Sequence, residues 1–228
     1  MTRIEQYLRL AAILTGISLM DEIVMAGPAE PSLRITLHVH NRAHVESGTL
    51  LRAEQEATRI FSEIGIEAVW IEESLVATEE HQDHPRHRMS DVHLNILPRA
   101  MENLGLSGSA LGVAPGIESN RVWAYVFYDR VEDLSRKQVA AMMRREVSRR
   151  ATPAQILGYA MAHEIGHLFG LNAHSAVGIM RADWRGNDLL HLAYGDLVFT
   201  PQQATVIRSE VLSRQQEVLR LTEIQSSK

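Results

Sequence analysis

Thr152-Pro153-Ala154-Gln155 dictates where a helix begins, and Gly170 dictates where it ends. A threonine at the cap accepts a hydrogen bond from the backbone three residues on, and a glutamine there returns one. Proline at the first helical position gives up a donor that has no partner anyway. Glycine after the apolar run supplies the left-handed conformation that closes a helix. Between these signals stand His163, Glu164 and His167. Histidines at i and i+4 lie one turn apart on one face. Their imidazoles can converge on one zinc ion at about 2.0–2.1 Å each. Glu164, one residue round from the first histidine, reaches a water rather than the metal, the place of a general base. The competing reading is a surface helix with incidental histidines.

The 228 residues contain no cysteine and 11 histidines, so disulfides and thiolate metal sites are excluded. Any metal site uses imidazoles and carboxylates. With 23 Lys plus Arg against 28 Asp plus Glu, the net charge is −5. That argues against a nucleic-acid partner, whose binding depends on neutralising phosphates. Composition is ordinary for a globular chain, 45% hydrophobic and 22% charged.

The remaining periodicity predicts an α/β domain with a mixed, twisted sheet. Leu33, Ile35, Leu37 and Val39 alternate with polar residues, the mark of a half-buried strand. Leu50, Ala53, Ala57, Ile60, Phe61 and Ile64 fall at helical spacing before Gly65. Residues 66–71 and 91–97 predict two more strands, and the glycine-rich stretch 104–116 a short edge strand at best. Residues 121–128 are apolar on both faces and predict a central, doubly covered strand. Residues 131–150 are basic and loosely helical, with a solvated face the ordinary reading. Residues 171–199 read as a long irregular loop. Thr200-Pro201-Gln202-Gln203 repeats the capping chemistry and starts a last helix, to about residue 222.

Beyond Gly170 the chain can turn and bring His174 back as a third ligand, leaving a fourth position open as catalytic zinc requires. The small-residue stretch 175–179 ends in Met180, a soft side chain suited to flooring such a site. Taken together, His163-Glu164-Ile165-Gly166-His167-Leu168-Phe169-Gly170-Leu171-Asn172-Ala173-His174 followed by Gly178-Ile179-Met180 resembles the metzincin clan of zinc metallopeptidases. That clan's pattern is HExxHxxGxxH and then a Met-turn. The likeness is specific over residues 152–184 and topological elsewhere. The same stretch also resembles uncharacterised bacterial proteins read as zinc-dependent proteases. The resemblance implies a cleft with zinc at its floor, an edge strand on the upper rim that pairs with an extended peptide or protein substrate, and peptide-bond hydrolysis.

One departure stands out. Ala173 occupies the clan's third-ligand slot and His174 comes one residue later. Either the turn absorbs an extra residue, or Asp183 or Asp188 is the third ligand. Asn172 is a poor zinc ligand, and the alternative of a glutamate on a later helix meets the fact that no glutamate occurs between Glu164 and Glu210. Some clan members carry a tyrosine where Ala182 stands; Tyr194 is more naturally a core or rim residue. Two other functions keep the scaffold: a zinc-binding module that holds a peptide without cleaving it, and a small-molecule amidase.

His81, His84 and His87, spaced by three beside Asp83, admit a second metal site or a solvated loop. His38, His40 and His93 fall on strands as polar-face residues. At the N-terminus, Arg3 and Arg9 precede an apolar run from Leu10 to Met20, too short to span a bilayer. With the small residues of Val24-Met25-Ala26-Gly27 behind it, the run fits a signal peptide and export to the periplasm or medium. An amphipathic leader helix in a cytoplasmic protein is the alternative. Residues 1–30 are therefore set apart from a catalytic domain over 31–228.

Overall fold

The computed structural model describes residues 32–73, 91–101, 105–115, 122–144 and 149–226. The segment 1–30 and His81, His84 and His87 lie outside the described residues, as does part of the basic run. The described chain folds as a mixed α/β unit. Strand β1 (Leu33–Asn41) leads to helix α1 (Ser47–Glu63) and strand β2 (Ile66–Glu72). Strands β3 (Asp91–Leu97), β4 (Gly112–Val113) and β5 (Trp123–Phe127) follow. Helices α2 (Tyr128–Met142), α3 (Pro153–Leu168), α4 (Asn187–Tyr194) and α5 (Pro201–Ser226) complete it.

The strand order is β2-β1-β3-β5-β4, with the first four parallel and β4 antiparallel at the edge. Period two divides the sheet into two faces. On one, Leu37 sits opposite Val92, Val39 opposite Leu94 and Leu94 opposite Ala124. All of these are fully buried. Leu50, Ala53, Ala57, Ile60 and Phe61 of α1 join the same core, as does nearly all of α3. Removing one such leucine side chain costs about 2–5 kcal/mol. Helices α1 and α3 touch at backbone range: a β-carbon at Gly158 would meet the Ala53 carbonyl oxygen at 2.4 Å.

Three expectations change. Strand β5 is paired on both sides but is not covered on both faces; Trp123 is 40% exposed because its face carries the polar residues of β1 and β3. The stretch 171–199 is not wholly irregular, since α4 forms within it. Eight residues are too few for a clear period, and Gly186 before it offers no side-chain cap. Helix α5 runs on to Ser226. Its start is as the capping residues predict, with Thr200 and Gln203 bonded reciprocally at 2.9 and 3.3 Å. Among the described residues no helix is long and apolar enough to cross a membrane.

Candidate metal centre

Helix α3 positions the two helical histidines, and its start is secured by the reciprocal bonds of Thr152 and Gln155. Its end is secured as well. The Leu171 N–H donates to the Gly166 carbonyl at 3.1 Å and the Gly170 N–H to the His167 carbonyl at 3.3 Å, the two bonds of a Schellman closure. Gly170 has φ +97°, a conformation a side chain resists. Arg214 of α5 donates to the Leu168 carbonyl at 2.6 Å and lies over the Phe169 ring, putting a cation at the helix's negative end.

His163, His167 and His174 come together. One ligand nitrogen from each lies within 4.8 Å of the others, so the trio can hold a metal ion. Their ring centroids are 4.9, 5.3 and 5.0 Å apart. His163 is buried, His167 partly buried and His174 exposed. The His163 Nδ1 is 2.8 Å from the Ile179 carbonyl oxygen, and the His167 Nδ1 bonds the Leu171 carbonyl. A carbonyl only accepts, so both Nδ1 atoms carry the proton and both Nε2 atoms present bare lone pairs. Those two Nε2 atoms stand 3.2 Å apart. Burial, then the neighbouring imidazoles, pull His163 down to about 3, and burial lowers His167 too. Both rings are therefore neutral near pH 7, with two lone pairs facing each other. That arrangement is repulsive unless a cation lies between them, and neutral imidazole with its far N–H held by a carbonyl is the form that ligates zinc.

Asp183 and Asp188, the alternative third ligands, are engaged elsewhere. Asp188 accepts from Arg181 at 3.1 Å and from the Arg185 backbone at 3.0 Å. Asp183 accepts from Ser109 and, at 2.7 Å, from Arg185. Met180 is fully buried, and its sulfur lies 3.1 Å from where a β-carbon on Gly166 would stand, against the histidine-bearing helix. Tyr194 is 49% exposed and meets Arg149, away from the trio.

Glu164 is 5% exposed. Burial pushes its carboxyl up to about 8, against a bond from the Ala114 backbone that lowers it. It lines a cavity of about 500 Å³ together with the three histidines, the rim 106–114 and residues 181–185. The cavity's upper side is β4, pressed so close that a β-carbon on Gly112 would stand 2.7 Å from Glu164 Cγ. Arg130 braces the rim by donating to the Ser107 and Ala110 carbonyls at 2.8 and 2.5 Å.

Among solved structures the chain is similar to the crystal structure of archaemetzincin from Methanopyrus kandleri, with a TM-score of 0.47 and 15% sequence identity over 81% of this chain and 99% of that one. No protein-family model matches the chain, and no curated protein matches it.

Several partners escaped sequence reasoning. The carbonyls of Leu171 and Ile179 fix both imidazoles, yet a backbone oxygen leaves no trace in residue type. Trp184 donates to the same Ile179 carbonyl at 3.1 Å and meets the His163 ring edge-on. Nothing in its sequence setting marks it.

Proposed function

We propose that this chain is a zinc-dependent hydrolase of the metallopeptidase type, cleaving peptide bonds in a peptide or protein substrate. The observation that carries the reading is the pair of proton-free Nε2 atoms 3.2 Å apart, joined by His174 beside a buried glutamate. The residues fit zinc in number and chemistry: three imidazoles, two of them neutral with their outer nitrogen held by a carbonyl. When bound, zinc polarises a carbonyl and activates water. Glu164 takes the proton of the attacking water and returns it to the leaving amine. Burial raises its carboxyl in the metal-free chain, and a cation held by the neighbouring histidines would lower it again toward the carboxylate form that accepts a proton. β4 is the last strand in the sheet order, and in this reading its outer edge is where an extended substrate pairs while the cavity takes a side chain. In this reading Met180 is the methionine of a metzincin Met-turn, and the shifted His174 is a variant of that clan's third ligand.

The test is a mixed peptide library incubated with purified protein carrying one zinc per chain. Cleavage is expected in the wild type. Glu164→Gln is expected to keep its zinc and lose turnover by about 10²–10⁴-fold, the share general acid–base catalysis contributes. A zinc-loaded wild type that cleaves no peptide would favour the binding module or the amidase.

A further inference from the structure

The second face of the sheet carries a cluster that plays no part in the His163 site. Parallel strands in register place His38 opposite His93 and His93 opposite Trp123. The rings stack along that row, with centroids 4.8 Å and 4.4 Å apart and planes within 25°. His40, two residues along β1, stacks diagonally on His93 at 5.4 Å. It turns its Nε2 to within 3.2 Å of the His93 Nδ1. This nitrogen separation equals that of His163 and His167. None of these residues lines the cavity of that site.

We propose that His40 and His93 form an accessory site for a divalent transition-metal ion of the imidazole-binding class, Cu²⁺ above all. Two nitrogens 3.2 Å apart, each about 2.0–2.1 Å from an ion, subtend about 99–106° at it, between the right angle of tetragonal and the angle of tetrahedral coordination, and Cu²⁺ heads the affinity order of divalent ions at nitrogen sites. Water fills the other positions, since both rings are only partly buried. The rings are held by rigid strands and by their neighbours. His38 anchors one end of the stack, 2.7 Å from a Glu73 carboxylate oxygen and 3.6 Å from one of Asp91. Trp123 closes the other end. Those carboxylates add negative charge beside the chelate. Burial and the adjacent imidazoles pull His93 down to about 4, and burial lowers His40, so both rings are in the neutral, ligating form near pH 7.

Trp123 supplies its own reporter. Full-length protein, already holding zinc, is titrated with Cu²⁺ while tryptophan emission is followed. Paramagnetic Cu²⁺ on His93 is expected to quench Trp123, and Trp123→Phe, which keeps the stack, is expected to lose that part of the quench. His40→Gln and His93→Gln are each expected to weaken the quenching site at least tenfold with zinc unchanged. Replacing His81, His84 and His87 together by Ala is expected to leave it intact. Equal titrations in the wild type, His40→Gln and His93→Gln, or a full quench in Trp123→Phe, would overturn the site and leave His40–His93 a simple N–H···N hydrogen bond. So would loss of the quench in the triple variant. Should a glutamine variant fail to fold, the comparison of wild type with Trp123→Phe still decides. The proposal stands or falls independently of the peptidase reading.

Discussion

Gly112→Ala is the substitution that tests how the rim and the buried Glu164 carboxylate are fitted together. An alanine β-carbon there would stand 2.4 Å from the Tyr125 carbonyl oxygen, 2.7 Å from Glu164 Cγ and 2.8 Å from Glu164 Oε1. Optimal separations are about 3.5–4.0 Å between carbons, so at least one neighbour has to move by about 1 Å. Tyr125 belongs to a strand paired on both sides. Glu164 is buried and bonded to the Ala114 backbone. The strand that gives way is β4, two residues long and paired on one side only. Overpacking of this kind costs about 1–3 kcal/mol. At about 2–4 °C per kcal/mol for a domain of this size, Tm falls by roughly 2–12 °C. Activity suffers more, because a misplacement of about 1 Å at a positioned group costs about 10²-fold. The three histidines are untouched, so zinc stays at one per chain. Calorimetry, metal analysis and kcat/KM on a cleaved library peptide measure the three quantities. Wild-type Tm and turnover would refute the tight seating of β4 on Glu164. Zinc lost in step with activity would refute the separation of rim from ligands.

Gly170→Ala is expected to cost about 1–2 kcal/mol, because φ +97° strains any β-carbon. It should also weaken zinc, since Leu171, which orients His167, follows directly; unchanged stability by denaturant melting would count against the helix closure described. His174→Ala should lose stoichiometric zinc while Asp183→Ala and Asp188→Ala retain it, and metal analysis of the three variants reads this directly. Burial, then the charge of Glu72, raises Glu54 to about 7. The folded state thus binds a proton that the unfolded chain releases near pH 4.5, so stability falls as pH rises from about 4.5 through 7. Glu54→Gln should flatten that slope, and parallel pH-dependent melts of the two proteins check it.

What the sequence makes legible here are local and periodic features. The ends of α3 were readable because Thr152, Gln155 and Gly170 each do one job that other residue types do badly. The β1 and β3 faces were readable because alternation survives wherever one face is buried. The two helical histidines followed from spacing alone. Illegible were the features set by distant backbone. The Ile179 and Leu171 carbonyls that fix both imidazole tautomers depend on where a loop returns. The exposure of Trp123 depends on which neighbours flank it, so an apolar run on β5 misread as covered on both faces. Helix α4 leaves no signal because two turns carry too little periodicity and Gly186 at the cap position has no side chain to cap with.

The same logic accounts for how His174 can join His163 and His167 although it comes one residue later than the HExxHxxGxxH spacing places a third histidine. Were α3 to continue, residue 174 would lie seven residues past His167, about 10.5 Å further along the axis. No continued helix brings it into a cluster whose ligand atoms lie within 4.8 Å of one another. The helix must stop, and once it has stopped, helical register no longer governs where His174 falls. Two fixed points do. Leu171 is held on both sides, its N–H closing the helix on Gly166 and its carbonyl accepting from His167. Ser175 is held by its N–H to the Met180 carbonyl at 2.8 Å. Only Asn172 and Ala173 lie between Leu171 and His174, and both are exposed. An extra residue there displaces no core side chain. Its cost is the conformational entropy of one more ordered residue, about 1–2 kcal/mol, which is small beside the roughly 10–16 kcal/mol with which structural zinc sites bind. The spacing of the first two histidines cannot vary, because a helix sets it; the spacing of the third is free to vary because a turn does.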